Sequence, residues 1–341
     1  LIQYIFPKQK TRIRYVLAAD IGGTKANIAL YDNHGGKGKA IFKEKFHSAD
    51  FTSFISILKI FLEKYPTPVP GSICIGVAGP VKNGAVKLTN LNWLISVKQI
   101  VQKTGIKKVA LINDLEATSY GLAALTPKDF KNIYSSEKLK TGNLVLIAPG
   151  TGLGISGLQE KERSYNIIAS EGGHSEYAPR NNDDLLLYNY LKPKKKIVSW
   201  EHIVSGHGIE NIYHFLRDVK KMQEPAWLLN EFKNSDKAAI ISEQALHKKT
   251  AICQKTMKIF IQNFARIAAS MALTFKATGG VYLCGGIPPK IIPLLNRYDF
   301  KKHFLTSDRM NDLLQEIPVN MVLNEETALL GAAYFGANGM G

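Results

Sequence analysis

The apolar residues of this chain come in short runs punctuated by glycine turns. Within residues 16–32, "VLAAD" and "NIALYD" are strand-like runs joined by Gly-Gly-Thr, the pattern of a hairpin. A strand-like stretch at 39–47 follows, then an amphipathic helix at 51–63, the buried strand "SICIGVAGP", and a helix-strand-helix passage through "KKVALINDLEATSYGLAAL". The predicted order is strand, strand, strand, helix, strand, helix, strand, helix. The second half restarts it: "NLVLIAPGTGLGISGLQ" at 143–159 repeats apolar run, Gly-Thr-Gly turn, apolar run. A strand-like stretch at 164–170 comes next, then several helices between 183 and 278 and "GGVYLCGGIPPKIIPLL", a strand ending in Gly-Gly ahead of a helix. A closing strand at 319–323 leads into a helix at 325–335. This internal duplication predicts two homologous α/β domains with a cleft between them, where ligands usually bind.

With 341 residues, 45% hydrophobic and 21% charged, the chain has length and core enough for two domains. The longest apolar candidate, 252–278, is interrupted by Lys255, Lys258, Arg266 and Lys276, so it reads as a buried helix and no membrane is expected. The start, "LIQYIFPKQKTRIRY", places its apolar part before its basic part and makes a poor secretory signal. Cys74, Cys253 and Cys284 are scattered, which points to reduced thiols and a cytoplasmic setting.

A net charge of +16 would suit a nucleic-acid binder if it were concentrated on one element. The densest cluster, "KPKKKIVSW" at 192–200, contains a proline and reads as a solvated loop between helices. No zinc-finger spacing occurs, and too few residues precede the first strand for a helix-turn-helix module. No nucleic-acid partner is expected.

The glycine turns carry the candidate chemistry. A dinucleotide fingerprint is excluded, because it needs the glycines to open a helix and here the chain goes from strand to strand. Two facing hairpin turns would instead present the N–H groups of Gly22, Gly23, Thr24 and of Gly150, Thr151, Gly152 to a polyphosphate, glycine allowing close approach and positive φ. Asp20, just before the first turn, would then face Mg²⁺ or its water shell. The plainer alternative is that the glycines merely close hairpins. Asp114, between the strand "KKVALI" and a helix, serves equally as an N-cap or as a base. Glu171 and His174 in "SEGGHSE" are too few for a zinc site and would otherwise be a surface turn held open by Gly172 and Gly173. Trp93 in "LTNLNWLI" is either a ligand-facing edge or a core aromatic.

"DIGGTKANIAL", "GVAGPV", "LTNLNW", "LINDLEATSYGL", "APGTGLG", "SEGGHSEYAPR", "EHIVSGHGI" and "LCGGI", in that order, resemble the bacterial glucokinases that lack a zinc-binding cysteine motif. These belong to the sugar-kinase, actin and heat-shock ATPase superfamily. The resemblance spans nearly the whole chain from Tyr15 onward. It implies a two-domain actin-like ATPase (ribonuclease H-like) fold with a duplicated βββαβαβα core. The smaller domain would take residues 11–124 plus 318–341 and the larger 125–317, with 1–10 an N-terminal extension.

The activity implied is ATP-dependent phosphorylation of glucose to glucose 6-phosphate. By the same resemblance Asp114 is the general base on the 6-hydroxyl, Asn113 orients a neighbouring hydroxyl, and Glu171, His174 and Glu201, the last on the next helix, grip sugar hydroxyls. Trp93 falls at the lip of the sugar pocket, and Gly285 and Gly286 let the nucleoside of ATP lie against the backbone. A homodimer is a family-level expectation. Two features depart from the family: Lys25 stands where asparagine is usual, beside the phosphate turn, and Glu326 and Thr327 replace a common Pro-Gly. Rival readings are a kinase for fructose, mannose or an N-acetylhexosamine, and a sugar-sensing regulator on the same fold.

Overall fold

Alternation decides the first sheet. In β1 (Tyr15–Ile21) Leu17 and Ala19 point to one face and Ala18 to the other, and all three are fully buried, so the strand is covered on both sides. It pairs antiparallel with β2 (Lys25–Asp32), and β2 pairs antiparallel with β3 (Lys39–His47). Helix α1 (Phe54–Lys64) starts three residues later than its apolar pattern suggests, because Ser53 Oγ accepts the Ser56 N–H and caps it there. After it, β4 (Ser72–Val77) joins β1 in parallel. A small hairpin, β5 (Ala85–Leu88) with β6 (Trp93–Ser96), is followed by α2 (Val97–Thr104), by β7 (Val109–Asn113) parallel to β4, and by α3 (Asp114–Gly121). The sheet runs β3-β2-β1-β4-β7.

The second sheet repeats that plan. Edge strand β8 (Phe130–Tyr134) precedes the hairpin of β9 (Leu144–Pro149) and β10 (Leu153–Lys161), then β11 (Ser164–Ser170). A helical passage follows: α4 (Asn182–Leu191), α5 (Gly206–Asp218), α6 (Ala226–Glu231), α7 (Lys237–Leu246) and the 24-residue α8 (Ala251–Thr274). Most of α8 is buried, as its apolar stretch predicts. Strand β12 (Gly280–Leu283) is parallel to β9, and after α9 (Ile292–Arg297), α10 (Phe300–Phe304) and α11 (Asn311–Gln315), β13 (Val319–Val322) is parallel to β12. The order is β11-β10-β9-β12-β13-β8. The basic stretch is a loop beginning with the short turn Lys192–Lys194 after α4.

This computed structural model describes residues 13–34, 38–88, 91–136, 141–161 and 164–340, so the expected extension at 1–10 and Thr89 and Asn90 of "LTNLNW" lie outside the described residues. The described residues divide into two units: those up to Asp129 with Lys161–Ile167 and from Asn324 onward, and Phe130–Glu160 with Ile168–Leu323. The last helix, α12 (Thr327–Asn338), belongs to the first unit. It covers the face carrying Ala18, Ala29 and Cys74 and approaches α3 backbone to backbone at Gly121 and Gly331, since a Cβ on Gly331 would run into the Ala117 carbonyl and one on Gly121 into that of Thr327. On the opposite face α1 closes a core that contains Trp93. Trp93 is 2% exposed and donates its indole N–H to Phe51 O, so it is a core aromatic and not the lip of a pocket. Among the described residues no helix is long and apolar enough to cross a membrane.

Candidate active site

In the first unit the parallel strands end together, Ile21 beside Val77 and Val77 beside Asn113, so Asp20 and Asp114 share the carboxyl edge of one sheet. That edge is where α/β sheets bind ligands. Burial and the Asp114 charge push the Asp20 carboxyl up to about 6, against the lowering effect of a hydrogen bond from Asn27. The cap of α3 is Asn113 and not Asp114. Its Oδ1 accepts the Leu115 N–H at 2.9 Å and its Nδ2 donates to Gly79 O at 3.3 Å. The amide expected to orient a sugar hydroxyl also fixes the turn that presents Asp114, the first residue of the helix, and keeps one N–H and one lone pair beyond those two bonds. In the adjacent turn the Gly22 N–H is spent on Lys25 O at 2.9 Å, and Thr24 O accepts the Ser48 N–H. Gly23, Thr24 and Lys25 are exposed.

The second turn is built alike. The Gly150 N–H donates to Gly152 O at 2.8 Å, and Gly150 O accepts the Gly206 N–H at the start of α5. The N–H groups left without an acceptor among the described residues are those of Gly23, Thr24, Thr151 and Gly152, four of the six donors expected. Glu201 lies in the short turn Trp200–His202, not on a longer helix, and its Oε2 accepts the Leu153 N–H at 2.9 Å. A Cβ on Gly152 would stand 2.5 Å from that oxygen. His174 sits between two carboxylates, its Nδ1 3.8 Å from Glu201 Oε1 and its Nε2 3.9 Å from Glu171 Oε2. Glu171 is 84% exposed and Glu201 27%, so the cluster has a free side and a seated one. The turn Gly172–His174 is held tight because Gly173 has no room for a Cβ against Leu153 O. Among the described residues no group of three or more His, Cys, Asp or Glu could hold a metal by themselves.

Beyond Gly150 and Thr151 lies a cavity of about 540 Å³ within the second unit, lined also by Gly206, Asp236, Ser242, Glu243, Gly286 and Lys290. Its size suits a nucleoside. Gly285 has φ of +91°, and a Cβ there would meet Pro149 O at 2.7 Å, so glycine is needed at this strand end. Sequence reasoning missed the contribution of α5 and α7 to this wall. The available signals were the N-caps Ser205 and Asp236, which fix where those helices begin. Glu326, the residue replacing the usual proline, pairs with Lys43.

The glucokinase family model matches residues 17–339. The chain belongs to the glucokinase family. A glucokinase of Nostoc punctiforme is 37% identical to it over 336 residues, covering 94% of this chain and 98% of the relative. The solved glucokinase of an Antarctic psychrotroph superposes with a TM-score of 0.83 at 31% identity, covering 95% of this chain and 99% of that one. The glucokinase of Balamuthia mandrillaris, solved in complex with glucose, has a TM-score of 0.79 over 95% of this chain and 94% of its own, and at 20% identity it speaks for the fold alone. The fold is that of the actin-like sugar kinases, and the enzyme class is that of the glucokinase family, a hexose kinase.

Proposed function

We infer that this chain performs its family's reaction, transfer of the γ-phosphoryl group of ATP to D-glucose to give glucose 6-phosphate and ADP. The observation that carries the reading is the seat of Glu201 on Gly152. It joins a turn with open N–H donors to a cluster of polar side chains fit for a polyol, on either side of one loop. Glu171, His174 and Glu201 take sugar hydroxyls, and a sugar with a hydroxyl missing or misplaced leaves these groups unpaired. Gly23, Thr24, Thr151 and Gly152 donate to phosphate oxygens, and the cavity lined by Gly206 and Gly286, next in the chain to Gly285, receives the nucleoside. Asp114 accepts the proton of the 6-hydroxyl as the phosphorus–oxygen bond forms and later returns it to water. Asn113 keeps the carboxylate in place for that step.

The residues fit Mg²⁺ brought in by the nucleotide. Asp20 and Asp114 repel one another across one sheet edge, and a hydrated divalent ion relieves that repulsion without a full set of protein ligands. When bound, the ion neutralises phosphate charge. A cytoplasmic setting without nucleic-acid partners is part of the same reading, supported by three buried unpaired thiols and by the dispersal of the lysines. A homodimer is the family-level expectation and is read by light scattering.

The test is ADP release with Mg²⁺ and ATP against glucose, fructose, mannose, N-acetylglucosamine and no sugar. Release that depends on glucose is expected. Release with another sugar only would move the specificity and leave the chemistry standing, and release with none would overturn the reading in favour of a sugar-sensing regulator.

A further inference from the structure

His174 and Glu201 come from different turns, and what sets them opposite one another is a short two-stranded bridge. The Trp200 N–H donates to Ser175 O at 3.0 Å, the Tyr177 N–H donates to Val198 O at 2.9 Å, and Glu176 pairs with Ser199 between them. One further step along that antiparallel register puts His174 across from Glu201. The buried rings of Tyr177 and Trp200 meet edge to face at 5.0 Å and lock the two strips.

The far end of the bridge is held by Arg266, from the middle of α8. Its guanidinium donates through Nη2 to Ala178 O at 3.0 Å, and through Nη1 to Asp184 Oδ2 at 2.6 Å and to Asn263 Oδ1 at 3.1 Å. The same Asp184 oxygen accepts the Arg180 N–H at 3.0 Å. Arg266 is 5% exposed and Asp184 4%. A buried ion pair is a weak device for stability, because apolar residues of the same volume serve as well. What the planar fork supplies, and an apolar pair cannot, is direction: one arm fixes a backbone carbonyl four residues from His174 while the other fixes α4.

We propose that Arg266 is a positioning residue for hexose recognition, setting the register of His174 against Glu201 by tying Ala178 and Asp184 to α8. The proposal rests on the reading of Glu171, His174 and Glu201 as the sugar cluster.

Two variants test it. Arg266→Lys keeps the charge but has one arm, so it reaches Asp184 or Ala178 and not both. The Michaelis constant for glucose is expected to rise about ten-fold, the worth of one lost hydrogen bond, while that for ATP and the turnover change less than about two-fold. The double variant Arg266→Met with Asp184→Leu leaves no buried charge and is expected to melt near the wild type, yet still to bind glucose weakly because the Ala178 tie is gone. A wild-type glucose constant in either folded variant overturns the proposal, and if Arg266→Lys does not fold the double variant decides. Absence of glucose-dependent ADP release from the unaltered chain would instead sink the reading of the reaction, before either variant is assayed.

Discussion

The turn from Gly22 to Lys25 and the turn from Gly150 to Gly152 close matching hairpins, each using its first glycine N–H on a carbonyl two or three residues on. Their glycines answer different needs. A Cβ on Gly22 would lie 3.7 Å from Lys25 O, an ordinary contact, whereas one on Gly152 would strike the Glu201 carboxylate. Neither glycine takes positive φ, so lack of room explains Gly152 while the local geometry leaves space for a methyl at Gly22. The first turn neighbours the paired carboxylates Asp20 and Asp114; the second seats the Glu201 carboxylate, which faces His174. Two hairpins of one plan have thus divided what they support, paired carboxylates beside one turn and the seat of Glu201 against the other.

The largest effect expected from breaking that division is at Asp114. Asp114→Ala should lower turnover by about 10²-fold or more while the ATP constant stays near the wild type, and turnover close to normal would remove the base from this half. Next comes the support of its helix. Gly331→Ala forces a methyl into the Ala117 carbonyl and should cost about 3 kcal/mol in denaturant unfolding, unless α12 shifts freely, in which case the loss is slight and α3 is not held by close packing.

The second turn gives a sharper contrast. Gly152→Ala should raise the glucose constant about ten-fold with little change in melting temperature, since the Glu201 carboxylate can swing aside but loses Leu153 and its place in the cluster. Gly22→Ala should leave the glucose constant alone, and equal effects from the two would erase the distinction. The smallest effect is one of pH. Burial holds the His202 imidazole below its ordinary value, and its neutral Nδ1 accepts the Ser199 N–H beside Glu201. The unfolded chain therefore protonates first, so stability falls as pH drops below the ordinary value of about 6.5 and levels off once the folded value is passed. His202→Gln should flatten that slope in melts between pH 7 and 5.

Hairpins, glycine turns and buried strands were legible in the sequence because alternation and turn residues are local. Strands β3 and β11 fall on the residues their patterns indicate. The hairpin of β5 and β6 and the edge strand β8 were not seen, since four or five residues carry too little alternation and their pairing partners are set by tertiary context. Trp93 shows the same limit: two asparagines beside it suggest a surface, and burial beneath α1 is decided by residues 40 positions away. Asn113 and Asp114 are both good capping residues and both accept the Leu115 N–H at 2.9 Å, so only the extended backbone of Asn113 tells which one caps. The ties behind His174 and Glu201, Gly152 under Glu201 and Arg266 under Ala178, span 49 and 88 positions and leave no periodic trace.

The place of α12 bears on how the chain comes to be active. The helix that fills the face behind β1 and β4 and grips α3 is made roughly two to three hundred residues after them, so during synthesis the first unit is formed with that face uncovered. The second unit closes its own core only with Ile317, Val319 and Met321, just ahead of that helix. Asp114 would therefore be firmly held only once the last helix is made, and the ability to transfer phosphate would arrive with it.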